Sequence, residues 1–101
     1  LFELLVEGPD SRQRCRFSLA DGDCLTVGRE TSVDCPVPWD RQISRKHVSL
    51  SVEDACVQIE KLSQAVNPLF INGVEVQSAR LRSGEHFVLG TTSFRLLDRD
   101  S

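Results

Sequence analysis

The sequence predicts an all-β fold, an antiparallel β-sandwich, on three observations. Apolar and polar residues alternate with period two along most of the chain, turn residues interrupt that alternation at short intervals, and no segment carries helical periodicity. Period two is the pattern of a strand with one face in the core and one in water.

Taken in order, Phe2, Leu4 and Val6 face one way with Glu3 and Glu7 opposite. After the turn Glu7-Gly8-Pro9-Asp10, Cys15, Phe17 and Leu19 alternate with Arg14, Arg16 and Ser18. Asp21-Gly22-Asp23 turns the chain into Leu25 and Val27, which lead to Gly28-Arg29. Val48, Leu50 and Val52 alternate with Ser49, Ser51 and Glu53; the pair Glu53-Asp54 reads as a hairpin turn, and Val57 and Ile59 continue the pattern. Then follow Phe70-Ile71, Val74 with Val76, Phe87 with Leu89, and Phe94 with Leu96, divided by Asn72-Gly73, Ser83-Gly84 and Gly90. Asn72-Gly73 suits a two-residue hairpin, because both residues tolerate the positive φ of a type I′ turn. Two stretches lack strand rhythm: Glu30 to Lys46, polar and holding Pro36 and Pro38, and Ser63 to Pro68. Long loops on a rigid sandwich are where binding residues are commonly carried. Asp98 to Ser101 read as a fraying tail.

The 101 residues, 40% hydrophobic and 27% charged, suit a single domain over 1–101 with one core and exclude bulk disorder. Apolar runs are too short for a membrane-spanning helix. The N-terminus has neither the basic start nor the cleavage site of a signal peptide, so a cytoplasmic location, or a nuclear one in a eukaryote, is the expectation, and it has no initiator Met, so the domain is expected to be excised from a longer protein. A net charge of −3 argues against a general nucleic-acid or anionic-membrane partner. Cys15, Cys24, Cys35 and Cys56 form no C-x-x-C pair and the two histidines are far apart, so no metal site and no cofactor are expected; the thiols are read as reduced packing residues.

Two constellations could carry chemistry. Gly28-Arg29 ends a strand, and Arg41-Gln42-Ile43-Ser44-Arg45-Lys46-His47 gathers three cations, a hydroxyl and an imidazole on an otherwise acidic chain. The arginine fork matches a phosphate, and a serine hydroxyl adds a donor; from charge alone, a solvated basic loop is the plainer reading. The second is Asn67 to Gly73, where Asn67 offers both an amide donor and an acceptor to a peptide backbone, although alone it would read as a loop cap.

Gly-Arg, then Ser-Arg-x-His, then Asn-x-x-x-x-Asn-Gly, in that order over nearly the whole chain, resembles the signature of forkhead-associated (FHA) domains. The resemblance implies an eleven-stranded β-sandwich that binds phosphothreonine peptides with the loops at one end, as a monomeric domain in phosphorylation-dependent signalling. It implies that Arg29 and Ser44 bind the phosphate, that Arg45 is a second phosphate contact, and that Asn67 bonds the peptide backbone just after the phosphothreonine. His47 would brace the loop from inside, Gly28 would allow close backbone packing, and Lys46, Val66 and Gln42 are further candidate contacts, Lys46 through general positive charge. The chain departs from the family where Ala65-Val66-Asn67-Pro68-Leu69 replaces Ser-Thr-Asn-Gly-Thr: Val66 removes a hydroxyl and Pro68 stiffens the loop. Val66 either faces the phosphate or packs inward.

The sequence admits two rival functions. Asp40, Ser44 and His47 invite a catalytic triad, but no glycine-rich elbow supports the serine, and an enzyme is not expected. A phosphate-independent interaction module on the same fold is the alternative; it would use a sheet face or the Glu30 to Asp40 loop, with Trp39 as an anchor unless that side chain packs the loop.

Overall fold

Period two becomes pleat in the computed structural model, which describes residues 1–53 and 55–99. Among these residues the chain forms β1 (Phe2–Glu7), β2 (Arg14–Leu19), β3 (Cys24–Gly28), β4 (Cys35–Pro36), β5 (Val48–Val52), β6 (Val57–Lys61), β7 (Leu69–Ile71), β8 (Val74–Val76), β9 (Ser78–Leu81), β10 (His86–Leu89) and β11 (Thr92–Asp98), and no helix. One sheet runs β2-β1-β11-β10-β7-β8 and the other β4-β3-β5-β6-β9.

On the longer strands the residues read as inward do point inward. Phe2, Leu4 and Val6 of β1, Val48, Leu50 and Val52 of β5, and Phe94 and Leu96 of β11 are buried between the sheets. Phe87 and Phe94 lie opposite one another on β10 and β11, with rings stacked at 4.6 Å between centroids. Such a pair contributes about 0.5–1.5 kcal/mol beyond the area it buries. At the β7–β8 hairpin Asn72 has φ 52° and Gly73 φ 77°, the two positive values a type I′ turn requires.

Several boundaries differ from the sequence reading. The polar stretch from Glu30 contains a strand: β4 pairs parallel to β3, Val27 opposite Cys35 and Gly28 opposite Pro36, so the otherwise antiparallel sandwich has one parallel edge. β9 carries only Ala79 and Leu81 inward, too short an alternation to stand out. Leu69, not Phe70, is the buried residue of β7, and Val74 is exposed. Asp98 belongs to β11, and the Arg99 N–H donates to the Leu1 carbonyl; Asp100 and Ser101, the rest of the expected tail, lie outside the described residues. At the β5–β6 turn the Glu53 N–H donates to the Cys56 carbonyl, and Asp54 lies outside the described residues.

All four cysteines are free thiols. Cys35 and Cys56 are buried, and burial, aided by Asp34 and Cys15, pushes the Cys35 thiol up to about 12. Cys24 is exposed and does not pack the core. Trp39 is half-buried against the core and donates its Nε1–H to Thr92 Oγ1 at 3.1 Å, which makes it a loop-packing residue.

Candidate functional site

The end of β3 is the floor of the site. The ladder continues past Gly28: Arg29 N–H donates to the Ser44 carbonyl at 3.0 Å, Glu30 N–H to that of Arg45 at 3.3 Å, and His47 N–H to that of Val27 at 2.9 Å. The segment leading into β5 thus lies directly on the β3 end. It does so because residue 28 is glycine: a Cβ there would sit 2.0 Å from the Arg45 carbonyl oxygen. The close approach places Arg29 beside Ser44 and Arg45.

His47 joins this floor to the β6–β7 loop. Its side chain is fully buried, Nδ1 lies 3.1 Å from the Ser44 N–H, and Nε2 lies 2.8 Å from the Asn67 carbonyl. An N–H can only donate, so Nδ1 accepts, and the ring's proton sits on Nε2 and goes to Asn67. Burial holds the imidazole below its ordinary pKa, against the pull of the Asn67 and Pro68 carbonyls. The Val66 N–H donates to Ser44 Oγ at 3.1 Å, which leaves the hydroxyl proton available to a ligand. The Asn67 amide donates to the Gln42 carbonyl.

Around these groups opens a cleft of about 510 Å³ lined by Arg29, Glu30, Arg41, Ile43, Ser44, Arg45, Lys46, Gln64, Val66 and Asn67. Arg29, Arg41, Arg45 and Lys46 face one carboxylate, Glu30, and none of the four cations is in an ion pair among the described residues. Four cations in one cleft on a chain of net charge −3 make a local positive potential able to hold a small polyanion.

Arg29, Ser44, Arg45, Lys46, Val66 and Asn67 therefore come together in one cleft, with Gly28 and His47 beneath it. Val66 is 87% exposed, so the inward-packed placement is excluded. Gln42 does not line the cleft; its carbonyl holds Asn67 instead. The triad does not assemble: both His47 nitrogens are engaged with backbone groups, and Ser44 Oγ meets a backbone N–H rather than a base. Asp40 turns away from both. Its Oδ2 accepts from Thr91 N–H at 2.8 Å, Thr91 Oγ1–H at 3.0 Å and Thr92 Oγ1–H at 2.8 Å, and its Oδ1 from Gln42 N–H at 2.9 Å. Burial opposes the carboxylate's charge, but these donors outweigh it and hold Asp40 below the usual range. Gln64 and Glu30 also line the cleft without any sequence motif that marks them, and Arg41 stands out in the sequence only by its charge. Nothing in the sequence pairs Asp40 with threonines some fifty positions on.

The sandwich, with its loop-borne cationic cleft, has the fold of FHA domains. The FHA domain of the CT664 protein from Chlamydia trachomatis is 29% identical, with a TM-score of 0.85 over 96% of this chain and 96% of that one. The Slr1951 protein from Synechocystis sp. is 25% identical, with a TM-score of 0.84 over 98% of this chain and 99% of that one. An FHA domain studied for phosphothreonine-dependent FHA interactions is 20% identical, with a TM-score of 0.79 over 96% and 97% of the two chains, and shares the fold. Among curated proteins, none matches. Residues 5–100 match the Yop-YscD cytoplasmic-domain family, the cytoplasmic domain of an inner membrane component of the T3SS, and the chain belongs to that family.

Proposed function

We propose that the chain is a module that binds phosphothreonine peptides through the cleft at the end of β3. The observation that carries this reading is the set of donors lining one cleft: Arg29 on the strand end, the Ser44 hydroxyl, whose oxygen accepts from the Val66 N–H and whose proton is free to donate, and Arg45, with Lys46 and Arg41 in the same lining. A phosphate dianion presents acceptor oxygens and about −1.5 to −2 charge, which this set complements. In this reading Arg29 carries the main charge-assisted bond, Ser44 and Arg45 complete the phosphate cradle, and Asn67 uses its remaining amide donor and acceptor to hold the peptide backbone. The preference for threonine over serine follows from the FHA resemblance. Interactions of a similar FHA domain are phosphothreonine-dependent, and that of FhaA, 21% identical, was crystallised with the intracellular domain of Rv3910.

The domain acts as an interaction module and not as an enzyme, as a monomer on the cytoplasmic side of a membrane, within a signalling or secretion protein. Nucleic acid is not its partner, because the cleft's positive charge is confined and the chain as a whole is acidic. Probing an oriented library of phosphothreonine, phosphoserine and unphosphorylated peptides tests the reading: enrichment of phosphothreonine sequences is expected, and an equal yield from the unphosphorylated set would overturn it. A second reading is favoured by the exposed apolar Val66 at the cleft and by the family's description as a component of a secretion apparatus. It is a phosphate-independent contact with another protein, and the same library separates the two.

A further inference from the structure

We infer that Asp40 is a positioning residue for the peptide-binding asparagine, linking the β10–β11 turn of one sheet to Asn67 on the far side of the cleft. The inference rests on the phosphopeptide reading for its functional half and on geometry for the rest.

Asp40 is 4% exposed, and four donors converge on its carboxylate. Three come from Thr91 and Thr92, where β10 turns into β11; the fourth is the N–H of Gln42. The Asp40 carbonyl also accepts from Ile43 N–H at 3.1 Å, which closes the turn over residues 40–43. Gln42 is therefore tied at its N–H to the opposite sheet, and its carbonyl receives the Asn67 amide. Asn67 is held twice: its main chain by His47, and its side chain by this Asp40-anchored carbonyl. Gly90 makes the arrangement possible. Its φ is +58°, and a Cβ there would lie 2.8 Å from both Asp40 carboxylate oxygens. A side chain held in place before the ligand arrives loses less freedom on binding, so pre-setting Asn67 favours capture of the peptide backbone.

Asp40→Asn separates positioning from packing. The amide keeps the volume but has one acceptor oxygen; with that oxygen facing the three threonine donors, its NH2 meets the Gln42 N–H donor to donor. The Gln42 turn should loosen while the core stays intact. In the unliganded domain labelled with 15N, the Asn67 side-chain amide protons should shift and exchange faster with solvent. Affinity for a phosphothreonine peptide should fall about tenfold, the equivalent of one lost hydrogen bond to a positioned group. Affinity for N-acetyl phosphothreonine methylamide, which carries almost no backbone for Asn67 to hold, should not change. Thr91→Ala, which removes one of the four donors at an exposed turn, should show a smaller effect in the same direction and serves if Asp40→Asn fails to fold. An unchanged Asn67 amide in folded variants overturns the inference, and so does an equal loss of affinity for both ligands, which would indicate general loosening. If the wild-type domain binds neither ligand, the phosphopeptide reading fails, and the Asp40–Asn67 link is decided by the amide signals alone.

Discussion

Arg29 sits half-buried on a strand end whose backbone is bonded on to Ser44, so its side chain leaves a fixed backbone at the mouth of the cleft. Replacing it with alanine should abolish phosphopeptide binding with the fold retained, because removing one partner of a bound charge costs about 2–5 kcal/mol, enough to erase a micromolar complex. Calorimetry checks the loss and circular dichroism the fold. Val66 is the complementary case. Its side chain lines the cleft and its N–H already serves Ser44, so Val66→Thr adds a hydroxyl of nearly the same shape where a phosphate oxygen would lie. The expected outcome is binding tighter by about 1.5–3 kcal/mol at best, with no fall in melting temperature; unchanged affinity would place the phosphate elsewhere. Arg29, Ser44, Arg45 and Asn67 were legible because their order along the chain is itself the signal. Asp40 and Gln42 were not: Asp40 acts through Thr91 and Thr92, and Gln42 through its carbonyl, a group every residue possesses.

At the level of elements, the site depends on how closely β3 and the segment before β5 approach. Gly28→Ala would place a methyl group 2.0 Å from the Arg45 carbonyl oxygen, and a carbonyl bonded to the Glu30 N–H has little room to retreat. Overpacking of this kind costs about 1–3 kcal/mol, occasionally more, and prising the two segments apart should separate Arg29 from Ser44. Denaturant melts and a phosphopeptide titration should therefore both worsen, in contrast to Arg29→Ala, which should affect the titration alone. Strands β1, β5 and β11 were the most legible in the residues because each buries three side chains on one face. β4 was hidden because two residues, one of them proline, cannot show a period, and its pairing is parallel to a strand already assigned. β9 was hidden because Arg80 and Ser78 leave only Ala79 and Leu81 as inward signal. The count of eleven came from the family resemblance, not from the alternation.

Across the whole molecule, stability and binding meet at His47, which ties the five-stranded sheet to the β6–β7 loop. Its pKa in the fold lies below the ordinary 6.5, so as pH falls the unfolded chain takes up this proton first. The ring's contribution is complete above about pH 6.5 and is lost progressively below it, toward the folded value. Asp40, held below its ordinary 3.8, keeps its contribution until the medium is far more acidic. Melting temperatures at about pH 7.5 and about pH 5.5 should therefore show a drop in the wild type. His47→Gln should start lower and fall less between the two, and an identical slope in both proteins would show that His47 is not the group responsible. The proposed role of the cleft is to hold a phosphate on a peptide. The most direct measurement is a pair of calorimetric titrations of one library-selected threonine peptide, with and without its phosphate. Binding of the phosphorylated form near micromolar affinity, about −8 kcal/mol, with none detectable for its unphosphorylated twin, is the predicted result; equal affinity for the two would contradict it.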